Sequence, residues 1–571
     1  MTKYNTQHTS AGVYFQERDR SAVATLAIGG VATLVMPGPR GQVGKNVRIY
    51  ADELDEMIGG PTGKYWQNVE IIRLLAQQAR YINYTRVGAD VKHAITMLTT
   101  FKNFATTREV PAGLDNLDTI LFNSQDIMAV VAKDGGDNGN KYFVAFEPDT
   151  TDPEGEAFNL YLFEVGFRSP IRSWTGATLR YKTDDDNNQL FIEERVNNDR
   201  TCPVMVFVNP THFKLKDDPT YPAVNAAGGG PRDPNAMNAP HGQLLHGDDG
   251  AEIDIYHADE DIRNRSLSLV MEGWENYRDW ETIDLGIACD GGLSHPAIAA
   301  LLDEIVADRQ DSISSNNVPV KWQEYANAIA YRRGRLELDG MGWNLSSSYT
   351  ALNTNDIEYF SEAMARYMWM PCSVAQTYAM LECDKSFGWL APAGLNRGGL
   401  PWGTRLRVPN DLDFRDALND NQINFPIHFK NPSEPNDPVG IYMWNADTTN
   451  GTNSALDDIG VRRLLAILTR SSRSSFLRYN FQNDSTLLRT NLRRELTDDI
   501  LQPVQNNRGL EWFDVIVDMR NNTDASSANG DLFVDIFLDP TRYTKRIHLN
   551  LNVASTGQVK AVVSLIERGQ V

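Results

Sequence analysis

The sequence predicts an α+β protein of several domains. Its last third contains two amphipathic helices followed by strands, an order that differs from the strict strand–helix alternation of α/β folds. Between residues 101 and 205 the pattern changes to short strands separated by Asp, Asn and Gly clusters, which is typical of an all-β unit. The chain has 571 residues. That length exceeds what one hydrophobic core supports, so about three or four domains are expected.

The C-terminal core domain is predicted to contain two helices and a mixed or antiparallel sheet. The first helix spans about Asp458–Tyr479, where apolar residues recur at helical spacing. The second spans about Ser485–Leu501 and should stop before Pro503, because proline has no amide hydrogen with which to continue a helix. Three strands are predicted after it, at Trp512–Met519, Asp531–Asp539 and Arg546–Val553.

An α/β middle domain is predicted from residues 26–100 and 206–355. A helix is expected at Pro296–Arg309, with Ser294 as its N-cap, and a strand at Val318–Trp322. The β unit interrupts this domain and is interpreted as an insertion spanning residues 101–205. Its predicted strands are Ile120–Phe122, Ile127–Val131, Tyr142–Glu147, Leu160–Val165 and Leu190–Glu194.

Both ends of the chain are interpreted as arms. Residues 1–25 form an N-terminal arm that joins the core domain of residues 356–557, and residues 558–571 form a C-terminal arm. An apolar strand at a chain end promotes aggregation unless it is paired. Pairing within its own sheet and strand addition to a neighbouring subunit are both open. The residues assigned to the arms are Val13, Tyr14, Phe15, Glu17, Val559, Ala561, Val563 and Leu565.

A basic island interrupts an acidic chain. The net charge of −21 argues against nucleic acid or an anionic membrane as the main partner. Between Val461 and Arg494, however, eight arginines are accompanied by one acidic residue, Asp484. Such a helix face is either simply solvated or a docking surface for an acidic partner. The arginines assigned to the candidate surface are Arg462, Arg463, Arg470, Arg473, Arg493 and Arg494.

Enzyme and metal motifs have little support. His241, His246 and His257 provide imidazole ligands in a loop rich in Gly and Asp, so a metal-dependent hydrolase is one alternative. The segment from Gly59 to Lys64 lacks the spacing of a phosphate-binding loop. We therefore expect no catalytic residues, no cofactor and no bound metal.

Secretion and membrane signals are absent from the sequence. No apolar run approaches the length of a membrane span, and the first residues lack the apolar core of a signal peptide. We therefore expect a protein made and used without a hydrophobic export signal. The cysteines form no C-x-x-C pair and are expected to be buried free thiols; they are Cys202, Cys289, Cys372 and Cys383.

Four segments together resemble the contractile tail sheath proteins of tailed bacteriophages. The run from Gly388 to Gly398, GWLAPAGLNRG, is similar to the signature G-x-W-x-A-P-A-G-x-x-R-G, with one residue fewer between glycine and tryptophan. Gln422-Ile423-Asn424 is similar to a G-I-N element, with glutamine in place of glycine. Gly12–Asp19 resembles the opening P-G-V-Y-x-x-E, and Leu456–Leu464 resembles the approach to the family's long helix.

The resemblance implies a structural subunit that polymerises as stacked hexameric rings around a tail tube. It implies that the arginine surface faces the tube and that the arms weave subunits together. The further partners implied are baseplate and tail terminator proteins, with no nucleic acid and no direct membrane insertion. The implied location is the virion, after assembly in the host cytoplasm. Another baseplate or virion structural protein is the alternative from the same setting.

The resemblance also suggests how such a subunit does mechanical work. Our hypothesis is that the sheath is assembled in a kinetically trapped, extended state. A signal from the baseplate then releases contraction, and each ring moves to a state with more buried subunit–subunit surface. The free energy is stored at assembly, so no nucleotide is needed while the tube is driven through the host envelope for genome ejection.

Overall fold

A computed structural model describes most of the chain. The described residues are 29–61, 63–101, 104–108, 117, 120–149, 152, 156–167, 169–184, 186–211, 241–409, 412–429, 439–452, 454–523, 529–543 and 545. Both predicted arms, and the strand predicted at Arg546–Val553, lie outside the described residues.

The secondary structure mixes helices and strands throughout. The strands, in chain order, are β1 Val31–Met36, β2 Asn46–Ile49, β3 Tyr81–Arg86, β4 Ile95–Phe101, β5 Phe104–Arg108, β6 Asp126–Ala132, β7 Tyr142–Pro148, β8 Phe158–Glu164, β9 Arg172–Ala177, β10 Val204–Val208, β11 His241–Gln243, β12 Ile287–Cys289, β13 Ile313–Asn317, β14 Glu337–Leu338, β15 Met341–Gly342, β16 Thr350–Asn353, β17 Ile357–Ser361, β18 Arg366–Met370, β19 Gly403–Leu406, β20 Ile423–Asn424, β21 Pro426–Phe429, β22 Gly440–Met443, β23 Leu510–Ile516 and β24 Asp535–Pro540. The helices are α1 Leu54–Ile58, α2 Trp66–Ala76, α3 Ile192–Asn197, α4 Glu260–Glu275, α5 Pro296–Arg309, α6 Tyr325–Arg332, α7 Cys372–Asp384, α8 Leu412–Asp420, α9 Ile459–Phe476, α10 Thr486–Arg494 and α11 Gln502–Asn506. A π-helical segment, Glu495–Leu501, joins α10 to α11.

A seven-stranded sheet organises the middle of the protein, in the order β2-β3-β1-β12-β13-β16-β20. Every neighbouring pair is parallel except β2 with β3. Both β1 and β3 are buried along their whole length, as parallel strands are when helices cover both faces of the sheet. On one face Leu34 packs with α2 and α7, and on the other Val35 packs with α4 and α5.

This sheet crosses the ranges that we assigned to different domains. Most of its strands come from residues 26–100 and 206–355, but β20 comes from residues 356–557. The α+β multidomain class is confirmed. The domain boundaries stay predictions.

The helix predicted at Pro296–Arg309 is confirmed, but two local details around it are wrong. The N-cap is His295, whose ring nitrogen Nδ1 accepts a hydrogen bond from the Ala297 amide at 3.1 Å, whereas Ser294 donates to Asp290. The strand predicted at Val318–Trp322 is absent: β13 precedes it and Val320–Trp322 forms a 3₁₀ turn. Pro319 separates the two because it has no amide for a sheet ladder.

The strands between residues 95 and 243 form two four-stranded antiparallel sheets, β10-β6-β4-β5 and β11-β7-β8-β9, around a shared apolar core. The strands predicted at β6, β7 and β8 are confirmed, and no strand forms at Ile120–Phe122. The strand predicted at Leu190–Glu194 is wrong, because α3 begins at Ile192. Its first turn contains Glu193 and Glu194, and carboxylates favour the positive end of a helix.

The chain enters and leaves this β unit side by side. Isolated antiparallel bridges pair Ala89 with Ala251, Lys92 with Asp248 and Ile95 with Leu245. The buried Arg86 holds the same junction, since its guanidinium donates to the Gly135 carbonyl and pairs with Asp249. The two chain connections of the β unit therefore form one paired stem, and ion pairs such as Arg40 with Asp134 add further contacts with the rest of the protein.

The C-terminal region follows the predicted order of helices and strands. The first predicted helix corresponds to α9, and the second to α10 with the π-helical segment. The prediction that it stops before Pro503 is wrong, because α11 continues to Asn506 with Pro503 in its first turn. Pro503 lies directly after the π-helical segment, where the hydrogen-bond pattern changes to that of α11.

The strands β23 and β24 form an antiparallel ribbon. Its inner face packs on α9 and the π-helical segment through an apolar cluster that includes Leu464, Leu496 and Val515.

Two expectations about the chain as a whole can be compared with the described residues. No helix among them is both long and apolar enough to cross a membrane. The four cysteines are buried and unpaired, as predicted. Burial raises the pKa of the Cys383 thiol to about 11, so this side chain stays a neutral thiol at neutral pH.

Candidate assembly surface

The glycine-rich run from Gly388 to Gly398 forms the junction between α7, α9 and the ribbon. A Cβ atom added at Gly388 would lie 2.5 Å from the Asp384 carboxylate and 2.8 Å from Ile467. At Gly398 it would collide with the Met443 carbonyl oxygen. Trp389 belongs to the apolar cluster beneath the ribbon. The run thus contains glycine where neighbouring elements approach too closely for a side chain.

A buried ion pair fixes α9 at this junction. The Arg463 guanidinium lies 2.5 Å from the Asp384 carboxylate, and the two side chains are 6% and 5% exposed. The second oxygen of Asp384 accepts a hydrogen bond from the Gly30 amide at 2.8 Å. One carboxylate therefore binds α9 and the start of the described chain together.

Three further arginines of α9 contact residues that lie next to strands of the central sheet or at the end of α5. Arg470 pairs with Asp284 at 3.2 Å. Arg473 donates to the carbonyl oxygen of Arg309 at 2.5 Å. Arg462 is buried, with its guanidinium 4.1 Å from the centre of the Tyr349 ring. These contacts hold α9 against the sheet from its first turn to its last.

The six arginines assigned to one docking surface therefore divide into two groups. Arg462 and Arg463 are buried, and Arg470 and Arg473 are half-buried and used within the chain. These four do not form an exposed surface in the subunit, because their guanidinium groups face inward. Arg493 and Arg494, on α10, are exposed. Arg493 is 50% exposed and lies 3.5 Å from Asp514 of the ribbon.

The spacing of Arg463 and Arg470 in the sequence already indicated that they face inward. Arg463 lies four residues before Ile467 and Arg470 lies three residues after it, and Ile467 is buried in the cluster beneath the ribbon. Residues at such intervals share one face of a helix. Arginines on an apolar stripe therefore indicated intramolecular ion pairs.

The ribbon presents a feature that sequence reasoning missed. Among the described residues β23 and β24 pair only with each other, so the described part of the ribbon is two strands wide. The outer face carries Trp512 and Phe537, which are 56% and 51% exposed. A narrow ribbon with exposed aromatic residues can accept a further strand at an edge.

The end of the described chain is fixed close to the start of α9. The Lys545 ammonium lies 2.5 Å from Asp447 and 2.6 Å from Asp458. Burial lowers the pKa of Lys545, but the two carboxylates outweigh burial and the net shift is upward. Lys545 therefore stays charged and anchors the point from which the C-terminal segment departs.

The candidate metal ligands are not brought into a site by the described residues. His246 is exposed and has a left-handed backbone, with φ of 68°. The ring nitrogen Nδ1 of His257 accepts a hydrogen bond from the Asp259 amide at 3.0 Å. His241 begins β11. Within the described ranges, no group of three or more His, Cys, Asp or Glu side chains could hold a metal ion.

Comparison with known proteins gives a consistent result. The chain is 25% identical over 304 residues to the tail sheath protein of Enterobacteria phage T4, an alignment covering 50% of this chain and 45% of the relative. The resemblance to phage tail sheath proteins is confirmed. A second tail sheath protein, from Vibrio phage KVP40, is 25% identical over 254 residues, covering 44% of this chain and 36% of the relative. The chain thus matches less than half the length of each curated tail sheath protein, and no family model matches it.

A solved structure shows the same fold over nearly the whole chain. The crystal structure of a sheath tail protein from Listeria innocua aligns with a TM-score of 0.53 and 10% sequence identity. The alignment covers 91% of this chain and 97% of the Listeria sheath tail protein. This likeness concerns the fold, and it extends well beyond the segments matched to the phage tail sheath proteins.

Proposed function

We propose that this protein is the structural subunit of a contractile phage tail sheath, which polymerises as stacked hexameric rings around a tail tube. The observation that carries the proposal is the sequence similarity to two phage tail sheath proteins. The fold shared with the Listeria sheath tail protein supports it. The role is structural, with no catalytic residues, cofactor or metal in the mechanism.

Strand addition is the proposed means by which subunits hold together. The described part of the ribbon is two strands wide, and both ends of the sequence contain alternating apolar residues. An arm from a neighbouring subunit would pair its backbone with an edge of the ribbon, while its apolar side chains would cover neighbouring apolar surface. The arm residues proposed for this contact are Val13, Tyr14, Phe15, Glu17, Val559, Ala561, Val563 and Leu565.

Flexible connections of this kind suit contraction. Subunits joined by paired strands can rotate and slide while the backbone hydrogen bonds between them are kept. We propose a kinetically trapped extended lattice that contracts after a signal from the baseplate and gains buried subunit–subunit surface. The contraction would drive the tube through the host envelope.

The tube-facing surface is proposed to rest on Arg493 and Arg494. Both are exposed, and Arg493 lies beside Asp514 in an ion pair that solvent weakens. An acidic partner surface could replace Asp514 at little cost. Arg462, Arg463, Arg470 and Arg473 would contribute indirectly, by holding α9 in place. Baseplate and tail terminator proteins are the other proposed partners in the virion, after assembly in the host cytoplasm.

Electron microscopy of the purified protein tests the proposal. Negative-stain images at rising protein concentration should show long hollow cylinders with regular striations. A variant lacking residues 558–571 should stay folded, by circular dichroism, and fail to form cylinders. Compact closed particles at every salt concentration would instead indicate a baseplate or other virion component. Normal cylinders from the deletion variant would refute the role of the C-terminal arm.

A further inference from the structure

The paired stem of the β unit contains a break in its backbone pairing. The bridges of the stem share one register, which places Asp90 opposite Gly250. Both residues have a left-handed backbone, with φ of 56° at Asp90 and 72° at Gly250, whereas strand residues have φ of about −120° to −140°. The two chains therefore leave the extended conformation at the same level of the stem. A few residues of this kind, outside regular elements, are what hinges in proteins are made of.

The β unit and the seven-stranded sheet have separate apolar cores. The core of the β unit is built from side chains between Ala94 and Leu244, among them Phe158 and Val204. The clusters on the two faces of the sheet come from other parts of the chain and include side chains of α2, α4, α5 and α7. Each body is thus held together by its own packing. A rotation of one body about the stem would leave both cores intact.

An open cavity of about 250 Å³ lies between the two bodies. The sheet side of its lining includes Val47, Met57 and Tyr84, and the β unit contributes Lys133 and Thr201. Close packing would make the two bodies move together, because a packed interface has no room to rearrange. The cavity therefore gives the β unit room to change its angle to the sheet.

Ion pairs cross the junction between the two bodies. These junction pairs are Arg40 with Asp134 at 3.2 Å, Arg172 with Glu56 at 3.6 Å and Arg200 with Glu53 at 3.4 Å. The side chains of the first pair are 8% and 15% exposed, whereas those of the other two pairs are more exposed and solvent screens them. Arg86 makes its contacts at the stem itself, where a rotation displaces atoms least. Away from the stem, the orientation of the β unit therefore depends on ion pairs, which salt weakens.

We infer that the β unit turns as one body about Asp90 and Gly250, and that the three junction pairs hold it in the observed orientation. Removing or screening these pairs frees the unit to change its angle to the seven-stranded sheet, while the stem keeps it attached. The inference does not rest on the proposed function, because it concerns a movement within the isolated subunit.

Distance measurements between two spin labels on the dilute, full-length monomer test this inference. The labels are attached through Tyr181→Cys in the β unit and Ser268→Cys on α4, both at exposed positions, and the four native cysteines are buried. One triple variant removes the carboxylates of the junction pairs: Glu53→Gln, Glu56→Gln and Asp134→Asn. It should shift the mean distance and broaden the distance distribution. Raising NaCl to about 1 M should shift the parent protein in the same direction, because the Debye length falls to about 3 Å.

Two controls keep the test decisive. A second triple variant removes exposed carboxylates whose ion pairs do not cross the junction, and it should leave the distance unchanged: Glu304→Gln, Asp308→Asn and Glu382→Gln. Labels at Tyr181→Cys and Val165→Cys lie within the β unit and should keep their distance in every variant. Equal distance distributions in the parent and the first triple variant would overturn the inference. So would a changed distance within the β unit, because the unit would then be loosening internally instead of turning as one body.

Discussion

Removing the carboxylate of Asp384 should destabilise the subunit far more than removing a neighbouring surface carboxylate. Asp384 and Arg463 are 5% and 6% exposed and lie 2.5 Å apart, so Asp384→Asn leaves a buried guanidinium without its counter-ion. Breaking a buried pair in this way costs about 3–5 kcal/mol. Asn has one acceptor oxygen where Asp384 has two, so its NH₂ group must face one of two donors, the Gly30 amide or the Arg463 guanidinium, and that hydrogen bond is lost. The expected loss in the free energy of unfolding is therefore at the upper end of that range.

The same helix supplies a matched control. Glu382 pairs with Lys385 at 3.1 Å, but these side chains are 44% and 49% exposed. Glu382→Gln should therefore change the free energy of unfolding by less than about 1 kcal/mol. Urea unfolding of the monomer at pH 7, followed by circular dichroism, measures both variants under conditions where assembly makes no contribution.

A double-mutant cycle separates the ion pair from general damage to the site. Asp384→Asn combined with Arg463→Met removes both charges. The double variant should be more stable than the sum of the single losses predicts, by about 0.5–3 kcal/mol, because neither partner is left unpaired. If Asp384→Asn cost no more than Glu382→Gln, or if the two single losses were additive, the pair would not be what holds α9.

Three further predictions concern other parts of the fold. Gly398→Ala should lower the free energy of unfolding by about 1–3 kcal/mol, because the added methyl group would collide with backbone atoms. Gly399→Ala is the control, since the nearest atom to its added methyl group would be 3.6 Å away, and it should be close to neutral in the same urea assay. Burial lowers the pKa of His295 below its usual 6.5, despite the neighbouring Asp339. The neutral ring of His295 stabilises the fold above pH 6.5, and this contribution declines as pH falls below 6.5, because the ring is protonated first in the unfolded chain. His295→Asn keeps an N-cap residue and should reduce the change in thermal unfolding temperature between about pH 7 and 5. If the pH dependence of the unfolding temperature were the same in the variant, His295 would not be its cause. Arg493→Ala should leave the free energy of unfolding within about 1 kcal/mol of the parent and weaken co-sedimentation with tail tubes, whereas unchanged co-sedimentation would remove this arginine from the proposed tube surface.

Periodic segments could be read from the sequence, and contacts between distant segments could not. α5 was predicted at its observed bounds because its apolar spacing and Pro296 mark a helix clearly. β13 was missed because its sequence, ISSNN, is polar, although every residue in it is buried. Its side chains are held by partners far along the chain, as when Ser315 donates to the carbonyl oxygen of Ser373. Such pairing leaves no local pattern in the sequence.

The candidate surface shows the same limit. The arginines of α9 were recognised as a group, but their acidic partners lie far away in sequence: 79 residues separate Arg463 from Asp384, and 186 separate Arg470 from Asp284. A charge excess counted along the sequence of the two helices therefore overstated the exposed charge. In the folded chain the four assigned arginines of α9 contact residues from distant segments. Of the six assigned arginines, only the two on α10 are exposed.

Because its two chain connections lie side by side, the β unit could be replaced by a short turn or by another domain. Ala89 faces Ala251 and Lys92 faces Asp248, so the outgoing and returning chains are already neighbours before the two antiparallel sheets begin. A short turn could join them there without altering the order of the seven-stranded sheet, and a foreign domain whose ends lie close together could be spliced in at the same point. The circular dichroism spectra of such chimaeras should still show the secondary structure of the remaining fold. The stem would thus serve as a cloning position for displaying other proteins on this scaffold.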